Sequence, residues 1–419
     1  MRILVVGGGG REHAIVKKIV ESKEVEQVFA LPGNGGIANE ATCVDIKATD
    51  VEKIVEFALE NKIDYAIIAP DDPLVLGVVD ALEDKGIKCF GPSKRAAIIE
   101  GSKAFSKNLM KKYEIPTAGY EVFTDKEEAI EYLEKAPIPT VIKADGLALG
   151  KGVVIAFTRQ EAIDAVKSMM EDKVFGASGD TIVVEEYLEG PEISVLAFTD
   201  GKTMVPMVSS MDHKRIGDDD TGLNTGGMGT IAPNPYYTKE LAEYCMNKIF
   251  LPTMFAMNAE DRTFKGCLYF GLMITTAGPK VIEYNCRFGD PETQVVLPLL
   301  DTDLLEVMQA VTDERLSEID VKFKDECACC VIMASGGYPS KYETGHEITM
   351  TDCEDELIYI AGAKKQGDKL LTSGGRVLGA VGVADTLEGA IDKAYAVTKK
   401  INFKDAYCRS DIGKKVLNV

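Results

Sequence analysis

The 419-residue sequence predicts an α/β protein: a doubly wound parallel sheet at the N-terminus, α+β domains in the middle, and a small C-terminal domain. Three observations carry this reading. Strand-like and helix-like segments alternate through the first hundred residues; strands dominate from about 120 to 190; and the last stretch has short strands broken by Gly-Gly pairs at 336–337 and 374–375. Taken in order, Arg2–Val6, Val25–Ala30, Tyr65–Ala69 and Lys88–Phe90 are the parallel strands, with amphipathic helical stretches between them. Helical character continues from Ser102 to Tyr113. Two helices, Lys126–Lys135 and Arg159–Glu171, break the strands that follow. Residues 191 to about 310 mix strands with a glycine-rich loop, and a helix at Leu387–Lys400 follows the last short strands. The expected division is 1–103, 104–310 with a subdomain at about 120–190, and 325–419.

With 46% hydrophobic and 27% charged residues, the chain has an ordinary globular composition. Its net charge of −20 argues against a nucleic-acid groove or an anionic membrane surface as partner. A phosphate-bearing substrate must then be held by local cations, backbone N–H groups and bound metal. No apolar stretch approaches about eighteen residues, and the N-terminus lacks secretory order, so a cytoplasmic location is expected. The ten cysteines form no C-x-x-C pair, and Cys327, Cys329 and Cys330 read as part of a buried strand. With only His13, His213 and His346, a histidine-rich metal site is improbable.

Three glycine-rich loops differ in what they offer. Gly7-Gly8-Gly9-Gly10-Arg11 follows the first strand and opens a helix, where free N–H groups and the dipole suit a phosphate. It fails the dinucleotide fingerprint, because Glu12 takes the sixth position and the second strand ends without an acidic residue. A small phosphorylated substrate near Asn34 and Asp71 fits better than NAD; a tight turn with no ligand is the alternative. The second loop, Ala144 to Gly152, contains Gly150-Lys151 but fails the Walker pattern. Its glycine spacing is one short, Gly152 replaces Ser/Thr, and a strand follows. It reads instead as a hairpin flap over phosphates, with Lys143 and Lys151 as cations. The third places Asp212-His213-Lys214-Arg215 before Gly222 to Gly229, a combination suited to anion handling. Its acidic trio Asp218, Asp219 and Asp220 reads as a solvated loop face.

The run Ile282 to Gln294 is the most informative. Alternation from Lys280 to Asn285 puts Glu283 and Asn285 on one strand face, two hard oxygen ligands suited to Mg²⁺ bridging phosphates. Arg287 then offers a planar fork to a carboxylate or phosphate. Asp290 before Pro291 reads as a helix N-cap with proline at the first helical position. A strand–turn–helix with solvated charges is the alternative.

Taken together the motifs resemble an ATP-grasp carboxylate–amine ligase, and more narrowly the glycinamide ribonucleotide synthetase family. The likeness rests on GGREHA at 9–14, PGN at 32–34, GSKAF at 101–105, IKADGLALGKGV at 142–153, DHKR at 212–215, NTGGMG at 224–229, EYNCRFGDPETQ at 283–294 and SGGYP at 335–339. It covers essentially the whole chain, and it implies a pre-ATP-grasp domain, ATP-grasp domains and a C-terminal domain. It also implies a ligase that joins glycine to 5-phosphoribosylamine with ATP. By resemblance, Glu283 and Asn285 would ligate Mg²⁺ or Mn²⁺. Lys103, Lys143 and Lys151 would face ATP phosphates beside Gly150 and Gly152, Glu185, Glu186, Tyr187 and Leu188 the adenine, and Glu192 the ribose. Asp212 and Arg287 would hold glycine, and Gly9, Gly10 and Arg11, with Asn34 and Asp71, the phosphoribosyl group. Small-molecule substrates and a monomer are expected. Two departures stand out: Asp71 sits where the family often has glutamate, and Leu223 where proline is common.

Overall fold

A computed structural model describes residues 1–148 and 152–417. Its first segment is a five-stranded parallel sheet. Strand Arg2–Gly7 is central, flanked by Gln27–Pro32 and Tyr65–Ile68, with Thr42–Cys43 and Lys88–Phe90 at the edges. Ile3, Leu4, Val5 and Val6 are wholly buried, because helices cover both faces of a parallel sheet. The winding reverses at Arg2–Gly7, so the crevice at the strand carboxyl ends is a natural ligand position.

The 120–190 segment is a four-stranded antiparallel sheet in the order Tyr120–Phe123, Ile182–Glu186, Thr140–Ala144 and Val153–Ala156. Helices Lys126–Leu133 and Arg159–Met170 lie on it and bury Ala129, Leu133, Ala162 and Val166 against Ile142 and Val184. Asp125 and Thr158 cap them, each side chain accepting a backbone N–H three residues on. A second antiparallel sheet joins Met204–Pro206, Glu192–Thr199, Gly266–Thr275 and Gly278–Asn285.

The fourth large sheet runs Met211–Asp212, Gly229–Ala232, Cys327–Ala334, Arg376–Ala384, Leu357–Ile360. Its first two strands come from the middle of the chain, so the C-terminal segment completes a sheet begun more than ninety residues earlier. Cys329 and Cys330 lie inside it as expected, and all ten cysteines are free. Phe90, Phe198 and Phe288 form a triangle of rings with centroids 5.9–6.3 Å apart. They lock the parallel sheet to the sheet that contains Glu192–Thr199, next to Arg287.

Candidate active site

A cavity of about 940 Å³ opens where these segments meet. Most residues expected from the sequence line it: Arg11, Asp71, Lys103, Lys143, Gly152, Glu185, Glu186, Tyr187, Leu188, Glu192, Asp212, Glu283, Asn285 and Arg287. The tip of the second glycine loop, Gly150 and Lys151 included, lies outside the described residues. Gly9, Gly10 and Asn34 are not part of the lining.

The strand Gly278–Asn285 presents the two oxygen donors, but not by unbroken alternation. Val281 pairs with Leu272 and Glu283 with Gly271, so Ile282 bulges out of the ladder. The Ile282 carbonyl then accepts from Lys143 Nζ at 2.9 Å. Glu283 has Lys214 Nζ at 3.6 Å. Burial pushes the Glu283 carboxyl up, but Lys214, Lys143, Lys103 and Arg287 outweigh it and hold it below its ordinary range. Asn285 Nδ2 is buried and has no hydrogen-bond partner among the described residues. Two hard oxygens on one face, in a field of lysines that suits phosphates, fit a divalent cation shared with a nucleotide. No group of three or more His, Cys, Asp or Glu residues suited to a metal occurs among the described residues, which leaves such a cation dependent on its ligand's oxygens.

Lys103 Nζ donates to Gly146 O at 3.0 Å. Its helix, Lys103–Lys112, is capped by Ser102 and by Asp145, whose carboxylate accepts the Ala104 N–H at 2.6 Å. The base of the flap therefore fixes the lysine beneath it. Glu185 sits between two ammonium groups, Lys107 at 2.8 Å and Lys143 at 3.0 Å. Burial raises the Glu185 carboxyl, and the two lysines more than reverse that. Burial also lowers Lys107, to about 8 against the pull of Glu185. Tyr187 and Leu188 leave the sheet just beyond. Lys107 was not foreseen; its only sequence signal was its spacing, one helical turn after Lys103. Lys214 was expected as a cation of the third loop, but not as the partner of Glu283.

Arg287 is more committed than a free fork. One Nη2 hydrogen goes to Glu100 Oε1 at 3.1 Å and the other to Asn285 Oδ1 at 3.0 Å, while Nη1 donates to Phe288 O at 3.2 Å. Nε is buried without a partner among the described residues, so Nε–H and one Nη1 hydrogen remain. Across the cavity, Asp212 Oδ1 is also buried and unpartnered among the described residues. Burial and neighbouring Glu292 push the Asp212 carboxyl well above its ordinary range. Glu292 in turn accepts from Tyr269 OH at 2.9 Å.

Four expectations require correction. The first glycine loop does not offer all its N–H groups: the Gly9 N–H donates to Glu12 Oε2 at 2.5 Å, so the chain's own carboxylate occupies that helix N-terminus. Gly8 is needed for close approach, since a Cβ there would lie 2.4 Å from Gly33 O. Asn34 is spent internally. Nδ2 donates to Gly8 O at 3.0 Å and Ile360 O at 2.8 Å, and Oδ1 accepts from Gly36 and Ile37 N–H. The helix after the key run is Thr293–Leu299 and starts beyond the Asp290-Pro291 pair. Asp290 instead accepts from Gln294 Nε2 at 2.6 Å and lies 3.5 Å from Arg376 Nη2. Finally, the acidic trio is a clasp and not merely a solvated face. Asp218 accepts the Ser410 N–H at 2.9 Å, the Asp219 N–H donates to Asp411 at 2.9 Å, and Asp220 pairs with Arg409 at 2.9 Å and Lys415 at 2.7 Å.

Three family models match nearly the full length: phosphoribosylglycinamide synthetase N domain over residues 1–100, ATP-grasp (A) domain over 101–293, and C domain over 328–415. The chain belongs to the phosphoribosylglycinamide synthetase family. It is 48% identical to the phosphoribosylamine–glycine ligase of Fusobacterium nucleatum subsp. nucleatum, covering 99% of this chain and 98% of that one. Identity to the Clostridium acetobutylicum protein of the same name is also 48%, over 99% and 100%. The crystal structure of phosphoribosylamine–glycine ligase from Thermotoga maritima superposes with a TM-score of 0.86 at 34% identity, covering 99% of this chain and 100% of that one. The three-part architecture of this synthetase family, with a parallel N-terminal sheet, an ATP-grasp region and a C-terminal domain, is thus the architecture of this chain. No helix among the described residues is long and apolar enough to cross a membrane.

Proposed function

We propose that the chain joins glycine to 5-phosphoribosylamine at the expense of ATP, giving glycinamide ribonucleotide, ADP and phosphate, the second step of de novo purine biosynthesis. The observation that carries this reading is the convergence, in one cavity, of the Glu283–Asn285 oxygen pair, the lysines Lys103, Lys143 and Lys214, and the guanidinium of Arg287. A carboxylate does not react with an amine until one of its oxygens is phosphorylated. Glycine oxygen attacks the γ-phosphorus and ADP leaves; the amine nitrogen then attacks the carbonyl carbon of glycyl phosphate, and phosphate departs as the nitrogen loses a proton.

Each side chain has a part in that sequence. Glu283 and Asn285 hold the divalent cation of an ATP-grasp enzyme, Mg²⁺ or Mn²⁺, which when bound neutralises phosphate charge. Lys103 and Lys143, with Lys151 of the flap, face the transferring phosphoryl group, and Gly150 and Gly152 let the backbone approach it. Glu185, Glu186, Tyr187 and Leu188 border the adenine, and Glu192 the ribose. Asp212 takes the glycine amino group and Arg287 its carboxylate, orienting it in line. Arg11 and Asp71 meet the phosphoribosyl part, while Gly9, Gly10 and Asn34 shape the loop behind them. Flap closure excludes the water that would hydrolyse the acyl phosphate. Residues 1–103 serve the amine and lend Lys103 to ATP, 104–310 hold ATP and glycine, and 325–419 buttress both, in a cytoplasmic monomer.

ADP release on adding glycine with freshly generated phosphoribosylamine tests the reading. Turnover with a different amine but not this one would replace the acceptor, and ATP binding without turnover would remove the activity.

A further inference from the structure

We infer that Glu100 is a positioning residue for Arg287, setting which of its hydrogens face the substrate carboxylate; this rests on the proposal that Arg287 receives that carboxylate. Glu100 closes helix Lys94–Gly101, outside every motif that marks the site in the sequence, and its side chain is only 8% exposed. Its two oxygens do separate jobs. Oε2 accepts the Cys286 N–H at 2.7 Å and Oε1 accepts Arg287 Nη2 at 3.1 Å. One carboxylate thereby fixes both the backbone just after Asn285 and the head group that follows it.

Donor arithmetic shows why this matters. A guanidinium has five N–H bonds. Glu100, Asn285 and Phe288 take three of them, which leaves one Nη1 hydrogen and the Nε–H, the latter buried and unpartnered among the described residues. Without the anionic anchor, Nη2 keeps only its bond to the neutral Asn285 Oδ1. The nearby carboxylate of Asp71, which already feels the Arg287 charge, becomes the competing partner. Arg287 would turn toward the sugar side of the cavity and its free N–H bonds would no longer meet glycine. Burial pushes the Glu100 carboxyl up, and Arg287 and the Cys286 N–H pull against that, so the geometry of the pair supports its charged form only in part.

Glu100→Gln is the test, because Gln keeps an oxygen for the Cys286 N–H but turns an NH₂ donor toward Arg287. Loss of one charge-assisted hydrogen bond predicts a glycine KM raised roughly ten- to a hundredfold, with the KM for ATP unchanged. Glu100→Asp, which retains charge at shorter reach, should fall between; it also serves if the glutamine variant fails to fold. Arg287→Lys tests the carboxylate contact by itself, and the double variant should cost little more than the worse single one. A glycine KM raised by Arg287→Lys but untouched by Glu100→Gln would overturn the inference and leave the role of Arg287 standing. Untouched glycine KM in both would overturn the role of Arg287 itself. Equal rises in the KM values for ATP and glycine, or additive single effects, would reduce Glu100 to general structure and overturn the inference.

Discussion

Acidification should loosen the C-terminal segment through His213, and the structure gives the size of the effect. His213 is 1% exposed, between the strand carrying Asp212 and the end of the chain. Its Nε2 accepts the Gly413 N–H at 3.1 Å, so the proton of the neutral ring sits on Nδ1, 3.2 Å from Gly229 O. Burial lowers its pKa from 6.5 to about 4, helped by Lys415 and Arg409 and opposed by Asp220. Between those values the unfolded chain binds a proton that the native chain does not. The contribution is therefore complete above about pH 6.5 and is lost as pH falls toward 4, amounting to about 3 kcal/mol. His13 works in the same direction: burial lowers it, and its Nδ1 accepts the Ile360 N–H at 2.7 Å. Hydrogen–deuterium exchange of residues 409–417, compared between wild type and His213→Gln from about pH 4.5 to 7.5, isolates the term. Wild type should lose protection on acidification more steeply than the variant. Parallel curves for the two proteins would refute the assignment of Nε2 as an obligatory acceptor.

Other outcomes follow from the same geometry. Glu283→Gln keeps shape but removes the charge that Lys103, Lys143 and Lys214 surround, and kcat should fall about a hundredfold or more; undiminished turnover at saturating Mg²⁺ would exclude Glu283 as a ligand. Arg287→Lys should act on glycine, since an ammonium cannot keep both Glu100 and a carboxylate in the guanidinium geometry. A change in the KM for ATP alone would misplace it. Phe288→Ala removes a ring 2% exposed that packs on Phe90 and Phe198, and equilibrium unfolding should report a loss of about 3–5 kcal/mol. A loss below about 1 kcal/mol would show that the triangle does not hold the sheets together.

What the sequence made legible was local. Alternating strand and helix patterns in the first hundred residues, the hairpin around the second glycine loop and the Glu283–Asn285 pair all depend on neighbours a few residues apart. The failed dinucleotide fingerprint was legible for the same reason, and the Glu12 carboxylate on the Gly9 N–H supplies its physical cause. Asp290-Pro291 misled because a cap is judged locally, whereas Arg376 claims Asp290 from 86 residues away. Asn34 looked like a ligand donor until Ile360 took its amide. Lys107 and Glu100 acquire meaning only through Glu185 and Arg287, partners that tertiary structure brings to them and that no local spacing announces.

The sheet shared between Met211–Ala232 and the C-terminal segment also fixes how the chain can be divided. A fragment ending near residue 320 would leave Gly229–Ala232 as a bare edge, with Asp212 one strand further out and every bond to Cys327–Ala334 missing. Such an edge invites pairing with other chains. The complementary fragment carries the strand that fits it, in register from Gly229 opposite Val331 to Ala232 opposite Ala328. Cleavage between Leu316 and Cys327 should therefore expose this edge in one half, and the Cys327–Ala334 strand of the other half should cover it again when the two are mixed. The molecule would then work as a split reporter of its own reassembly.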